Sequence, residues 1–214
     1  NLVGIAEVMA QAVQERDAEP IIALMIPRKS HGEEPPLPIA EAMKKANVIL
    51  TPVSTSITHT RAIKDAVAGG SRAIIMTAFT EDLLIRGGIL ADFQKQKPIC
   101  QEVARRFQEA KFVKLTSPAG TSLTMRKEGR RGNALYCLVE PGEFSTVPTI
   151  EANFSPIEGT AEGIIVADAS IPYLGIGVLE EPVRCKVEKG FIVEIEGGRQ
   201  ARVLQEDLKA RKDP

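Results

Sequence analysis

The sequence has no tryptophan, two tyrosines, two histidines and three cysteines. Cys100, Cys137 and Cys185 are odd in number, widely spaced and free of any CxxC pair. A disulfide framework and a thiolate zinc site are thereby disfavoured, and a reducing cytoplasm is the expected compartment. With only His31 and His59 available, the metal chemistry this sequence can build by itself is severely limited. A surplus of positive charge is missing too: 27 Lys and Arg stand against 28 Asp and Glu, for a net charge of -1. A protein that works by neutralising phosphates is not balanced in this way, so no nucleic-acid partner is expected. No run approaches the roughly 18 to 20 apolar residues of a membrane span, and no signal-peptide pattern is present, so no membrane association is expected. GxSxG, GxxxxGK, HExxH and GxGxxG are also absent, which removes the usual support for a serine hydrolase, a P-loop or a zincin.

What is present is an ordinary globular mixture, 43% hydrophobic and 26% charged, long enough for one large domain or two small ones. The first half alternates helical and strand patterns. Val3, Ala6, Met9, Ala10 and Val13 share one helical stripe. The run Ile21 to Ile26, between Pro20 and Pro27, reads as a buried strand. Next come a helix at 39–46, a strand at 47–52, a helix at 61–68 closed by Gly69-Gly70, and a strand at 72–76. Helical material to Ala110 and a strand at 112–115 complete this half. Apolar strands separated by single helices predict an α/β fold, a three-layer domain with a parallel sheet over residues 1–115. Beyond Thr116 short strands recur between Gly and Pro turns, and Lys189-Gly190 joins two of them as a tight hairpin. Residues 116–214 are expected to form a β-rich, barrel or sandwich-like domain with a closing helix.

Few residues can carry chemistry. His59 lies in the hydroxyl-rich stretch Ser54 to Thr60, just past a predicted parallel strand, at the edge where open α/β sheets bind ligands. The helix opening at Arg61 would turn N–H groups and the positive end of its dipole towards an anion. Thr58, His59, Thr60 and Arg61 are therefore candidates to bind a substrate carboxylate or phosphate; the plainer alternative is a Ser/Thr N-cap with His59 bonded locally. His31 with Glu33 or Glu34 could serve a divalent ion, although consecutive carboxylates beside two prolines more often form a stiff solvated loop. Cys137 reads as a buried mid-strand residue and not a nucleophile, and Tyr136 and Tyr173 as packing residues. Glu151 and Glu162 fall between turns, where a lone carboxylate is usually exposed or caps backbone.

Four segments, 56–62, 116–124, 148–156 and 187–198, resemble the M29 superfamily. That superfamily holds the aminopeptidase T type leucyl aminopeptidases and, as a divergent branch, the 2,5-dihydroxypyridine 5,6-dioxygenases. The resemblance runs from about Pro20 to Leu208 and implies an α/β domain followed by a β-rich one, with a metal site near their junction and dimeric or higher assembly. It also implies a metal ligand at Glu151, because Pro148, Glu151 and Pro156 match a Pro-x-x-Glu-x-x-x-x-Pro segment of the aminopeptidases. The dioxygenase branch tends to lack this Glu, so its presence favours the peptidases; Thr58-His59-Thr60 and Lys189-Gly190-Phe191 resemble the dioxygenase branch at least as well. The family's other ligands follow the closing helix, and a further strand precedes the helix at Leu2. The 214 residues are thus expected to be a central part of a longer enzyme.

The expected function is a metal-dependent aminopeptidase, in which two Zn, Co or Mn ions share a bridging water and N-terminal residues are removed from small peptides. The alternative is a non-haem Fe(II) dioxygenase that cleaves a small dihydroxylated ring. A catalytically silent binding protein for a small molecule is a third reading.

Overall fold

A computed structural model describes residues 2–172 and 174–211, so Tyr173 lies outside the described residues. The helices are α1 (Leu2–Gln14), α2 (Leu37–Met43), α3 (Arg61–Ala68), α4 (Glu81–Ile85), α5 (Phe93–Glu109) and α6 (Arg199–Arg211). The strands are β1 (Val48–Val53), β2 (Arg72–Thr77), β3 (Phe112–Thr116), β4 (Ser122–Arg126), β5 (Gly132–Leu135), β6 (Phe144–Thr146), β7 (Glu151–Phe154), β8 (Glu162–Ala167), β9 (Ser170–Ile171), β10 (Gly177–Val178), β11 (Val183–Glu188) and β12 (Phe191–Glu196). They divide into two compact units, Asn1–Glu102 with Ala134–Ala152, and Val103–Asn133 with Asn153–Pro214. Among the described residues no helix is long and apolar enough to cross a membrane.

The first unit is built on a parallel sheet in the order β1-β2-β6. Side chains alternate across a strand, and β2 uses both faces. Ala73 and Ile75 join Met43, Ile49, Ile57, Ala62, Ile63 and Ala66 in one core, while Met76 and the partly buried Ile74 pack with Ile5 and Phe79 in another. Helices α2 and α3 therefore cover one face and α1 and α4 the other, the three-layer α/β arrangement that apolar strands between helices predict. Helix α3 starts where Thr60, in extended backbone, accepts a hydrogen bond from Ile63 N, and it stops at Gly69. Gly70 follows with φ +99°, a conformation that favours glycine.

Two expectations change. Ile21 to Ile26 forms no strand: Ile21, Leu24 and Ile26 are 90%, 78% and 84% exposed, and from this run only Met25 packs against the core. Apolar character gives a strand only where a neighbour completes the ladder, and no described strand pairs with this run. The strand Phe112–Thr116, read with the α/β half, pairs antiparallel with β4 instead. The third parallel strand is β6, whose three residues are too short for a legible pattern.

The second unit is a five-stranded antiparallel sheet in the order β12-β11-β8-β4-β3, open at β12 and β3 and so not a closed barrel among the described residues. On β11, Val183, Cys185 and Val187 are buried while Arg184, Lys186 and Glu188 face out. Helix α6 covers the buried face through Ala201 and Leu204. Lys189 and Gly190, both at positive φ, make the expected tight turn between β11 and β12. Where β8 meets β4, Gly163 has φ +130° and a Cβ there would lie 2.1 Å from the Ser122 carbonyl oxygen. Gly163→Ala is expected to lower unfolding free energy by about 2 kcal/mol or more, combining backbone strain with overpacking. Urea denaturation checks this, and an unchanged midpoint would contradict the close approach.

Candidate functional site

Parallel pairing sends the C-terminal ends of β1, β2 and β6 to the same edge of the sheet. Ser54 to Thr60 leaves β1, Ala78 to Thr80 leaves β2, and Val147 to Ile150 leaves β6 and runs into Glu151 at the start of β7. Ligands of open α/β sheets sit outside such strand ends. The topology thus brings the His59 loop and the Glu151 segment to one edge, on either side of β2. His59 and Glu151 are both exposed.

The hydroxyls around His59 are occupied locally. Ser56 Oγ and Thr58 Oγ1 lie 2.8 Å apart, and Ser56 Oγ also accepts from Thr58 N. Thr60 Oγ1 donates to the Ile57 carbonyl at 2.7 Å and accepts from Ile63 N, which makes it the N-cap of α3. Thr58 and Thr60 are buried. Arg61 lines a shallow depression of about 320 Å³ beside α2 and α3, together with Glu34, Lys44 and Asp65.

The end of α3 that the sequence offers to a substrate anion already carries a carboxylate of the chain. Glu34 Oε1 accepts from Arg61 N at 2.6 Å and Glu34 Oε2 from Ala62 N at 3.2 Å. Two charge-assisted bonds at a helix N-terminus are favourable, since donor groups and dipole act together. Sequence reasoning missed this role because the contact spans 27 residues and no local motif announces it.

Nor do His31, Glu33 and Glu34 converge. Glu33 pairs with Arg28 and accepts from Lys29 N at 2.9 Å. The Lys29 N–H, against the opposing effect of desolvation and with help from the Arg28 charge, holds this carboxyl below the usual carboxylate range. His31 Nδ1 accepts from Ser56 N at 3.0 Å. Among the described residues no three His, Cys, Asp or Glu side chains gather where they could hold a metal ion.

Cys137 is a turn residue with φ +62° and not mid-strand, because its N–H is taken by Ser145 Oγ at 3.2 Å. Its sulfur accepts from Thr149 N at 3.0 Å, and burial pushes the thiol up despite that bond. Glu162 Oε1 accepts from Lys189 N at 2.8 Å and so braces the hairpin turn. Tyr136 accepts a hydrogen bond from Gln101 and lies under the Lys97 ammonium, 5.5 Å from the ring centre.

An open parallel sheet with a loop cluster at its C-terminal edge defines the α/β class of ligand-binding folds. Over residues 5–214 the chain matches the family described as NicX: 2,5-dihydroxypyridine 5,6-dioxygenase, and it belongs to that family. Among solved structures it is similar to the 2,5-dihydroxypyridine dioxygenase from Pseudomonas putida KT2440, with 20% identity and a TM-score of 0.77, covering 96% of this chain and 62% of that one. It is also similar to AmpT from Thermus thermophilus, with 17% identity and a TM-score of 0.53, covering 97% of this chain and 66% of that one. The chain thus spans less than two thirds of either structure's length. No curated protein matches by sequence. The dioxygenase branch of the expected resemblance is borne out by the family match, and the likeness to AmpT is one of fold.

Thr60→Ala is expected to cost about 1 kcal/mol of stability, with Thr60→Ser close to neutral, since both hydroxyls can cap. Urea titration measures the difference. Burial pushes Cys185 up as it does Cys137, and Cys100 is buried, so the native protein should resist maleimide at neutral pH and take three labels once unfolded.

Proposed function

We propose that these residues form part of a dioxygenase that opens a dihydroxylated pyridine ring with molecular oxygen. The family match over residues 5–214 carries this reading, and it favours the dioxygenase over the aminopeptidase. The likeness to AmpT, at 17% identity, speaks for the fold alone. The occupied end of α3 agrees with a substrate that has no carboxylate to place there.

In this reading His59 is the substrate-contacting residue, because it is exposed at the C-terminal end of β1 and its neighbours are committed elsewhere. Its imidazole can hydrogen-bond a ring hydroxyl and take up or return its proton. Thr58 and Thr60 shape the loop, and Arg61 lines the adjoining depression. A divalent metal, Fe(II) for ring cleavage or Zn, Co or Mn for peptide hydrolysis, finds no complete ligand group among the described residues. Glu151 is the one candidate ligand, and it belongs to the aminopeptidase alternative.

The test is oxygen consumption by the full-length enzyme with 2,5-dihydroxypyridine and ferrous iron. His59→Ala is expected to lower kcat/KM by about 100-fold with folding intact. In the aminopeptidase alternative Glu151→Ala would lower bound metal measured by elemental analysis, and in the dioxygenase reading bound iron is expected to stay unchanged. Hydrolysis of leucyl peptides with Zn, Co or Mn and no oxygen uptake would overturn the reading in favour of the aminopeptidase.

A further inference from the structure

Hydrogen bonds join the segment Arg28 to Glu34 to the loop that carries His59 and to the first residues of α3. Thr55 Oγ1 donates to the Arg28 carbonyl at 3.1 Å, Ser56 N donates to His31 Nδ1 at 3.0 Å, and Gly32 N donates to the Ser56 carbonyl at 2.8 Å. Glu34 takes the N–H groups of Arg61 and Ala62. Residues 31 and 32 therefore grip Ser56 through its N–H and its carbonyl at once. One of these bonds has a chemical condition attached. A ring nitrogen accepts a hydrogen bond only while unprotonated, so the Ser56 bond requires Nδ1 of His31 to be free of a proton.

We propose that Arg28 to Glu34 is a pH-released strap, with His31 as its sensor and the Ser54 to Arg61 loop as what it holds. With the imidazole neutral the strap fixes Ser56 and, three residues on, the position of His59. Protonation at Nδ1 turns the acceptor into a donor facing another donor, and the grip on Ser56 opens. Glu34 keeps the strap fastened at α3, so the change is confined to the contacts of His31 and Gly32 with Ser56 and α3 stays folded. The charged groups on the two joined segments are Arg28, Lys29, Glu33 and Glu34 on the strap and His59 and Arg61 on the loop. On the adjoining helices Lys44 pairs with Glu41 at 2.9 Å and with Asp65 at 3.6 Å. Imidazole is the side chain that ordinarily changes charge between about pH 5 and 8. The strap does not depend on which reaction the loop serves.

Amide hydrogen exchange, read residue by residue by NMR on the isotope-labelled chain, tests it at about pH 8 and about pH 5. After correction for intrinsic exchange, the Ser56 and Gly32 amides should lose about tenfold or more of their protection in acid. The Ile63 amide, held by Thr60 inside α3, should keep its protection and so reports that the chain remains folded. His31→Ala should leave Ser56 unprotected at both pH values. His31→Gln offers an acceptor that does not titrate and should keep Ser56 protected at both. Equal protection of Ser56 at the two pH values in the wild type would overturn the proposal, as would a wild-type pH response that survives in His31→Ala.

Discussion

Strand β2 lies between β1 and β6 and is covered on both faces, and this double burial decides where chemistry can occur in the first unit. Ala73 and Ile75 on one side, and Ile74 and Met76 on the other, are committed to packing. A large aliphatic side chain buried in this way stabilises by about 1.5–3 kcal/mol relative to an exposed one. No position along the middle of the strand can take a polar side chain without losing that contribution. Reactive groups are left only the strand ends, and parallel pairing gathers the C-terminal ends on one edge. The locations of His59 and Glu151 follow from that constraint.

At that edge the loop after β1 is shaped by saturation of its own polar groups. Ser56, Thr58 and Thr60 bond within the loop, and the first N–H groups of α3 are taken by Glu34 and Thr60. A loop bonded in this way holds a preset shape. His59 is the exposed imidazole carried on this frame. Preset geometry of this kind reduces the ordering cost that a ligand must overcome.

The parts of the fold legible in the sequence are those with local causes. β1, β2, α3, its glycine stop and the Lys189-Gly190 hairpin each have a signal within a few residues. The parts not legible depend on a distant partner. β3 gives a reasonable strand pattern, but nothing in Phe112 to Thr116 says that its neighbour is β4. β6 has three residues and no period to read. Cys137 has the apolar neighbours of a strand, yet Ser145 takes its N–H and turns the chain. Within the candidate site, the position of His59 and the cap at Thr60 were readable, whereas the carboxylate of Glu34 on α3 was not. The resemblance included the dioxygenase branch on which the family match falls, but Glu151 weighted it towards the peptidases.

The apolar run between Pro20 and Pro27 has a consequence for handling the protein. Six consecutive apolar residues, several of them β-branched and none charged, lie largely exposed without a ladder partner among the described residues. Such a hexapeptide meets the compositional conditions for cross-β stacking between molecules. The two prolines bracket it on both sides, and neither can donate a ladder hydrogen bond. They limit any intermolecular sheet to the six residues between them. Proline brackets of this kind act as gatekeepers against pairing between molecules.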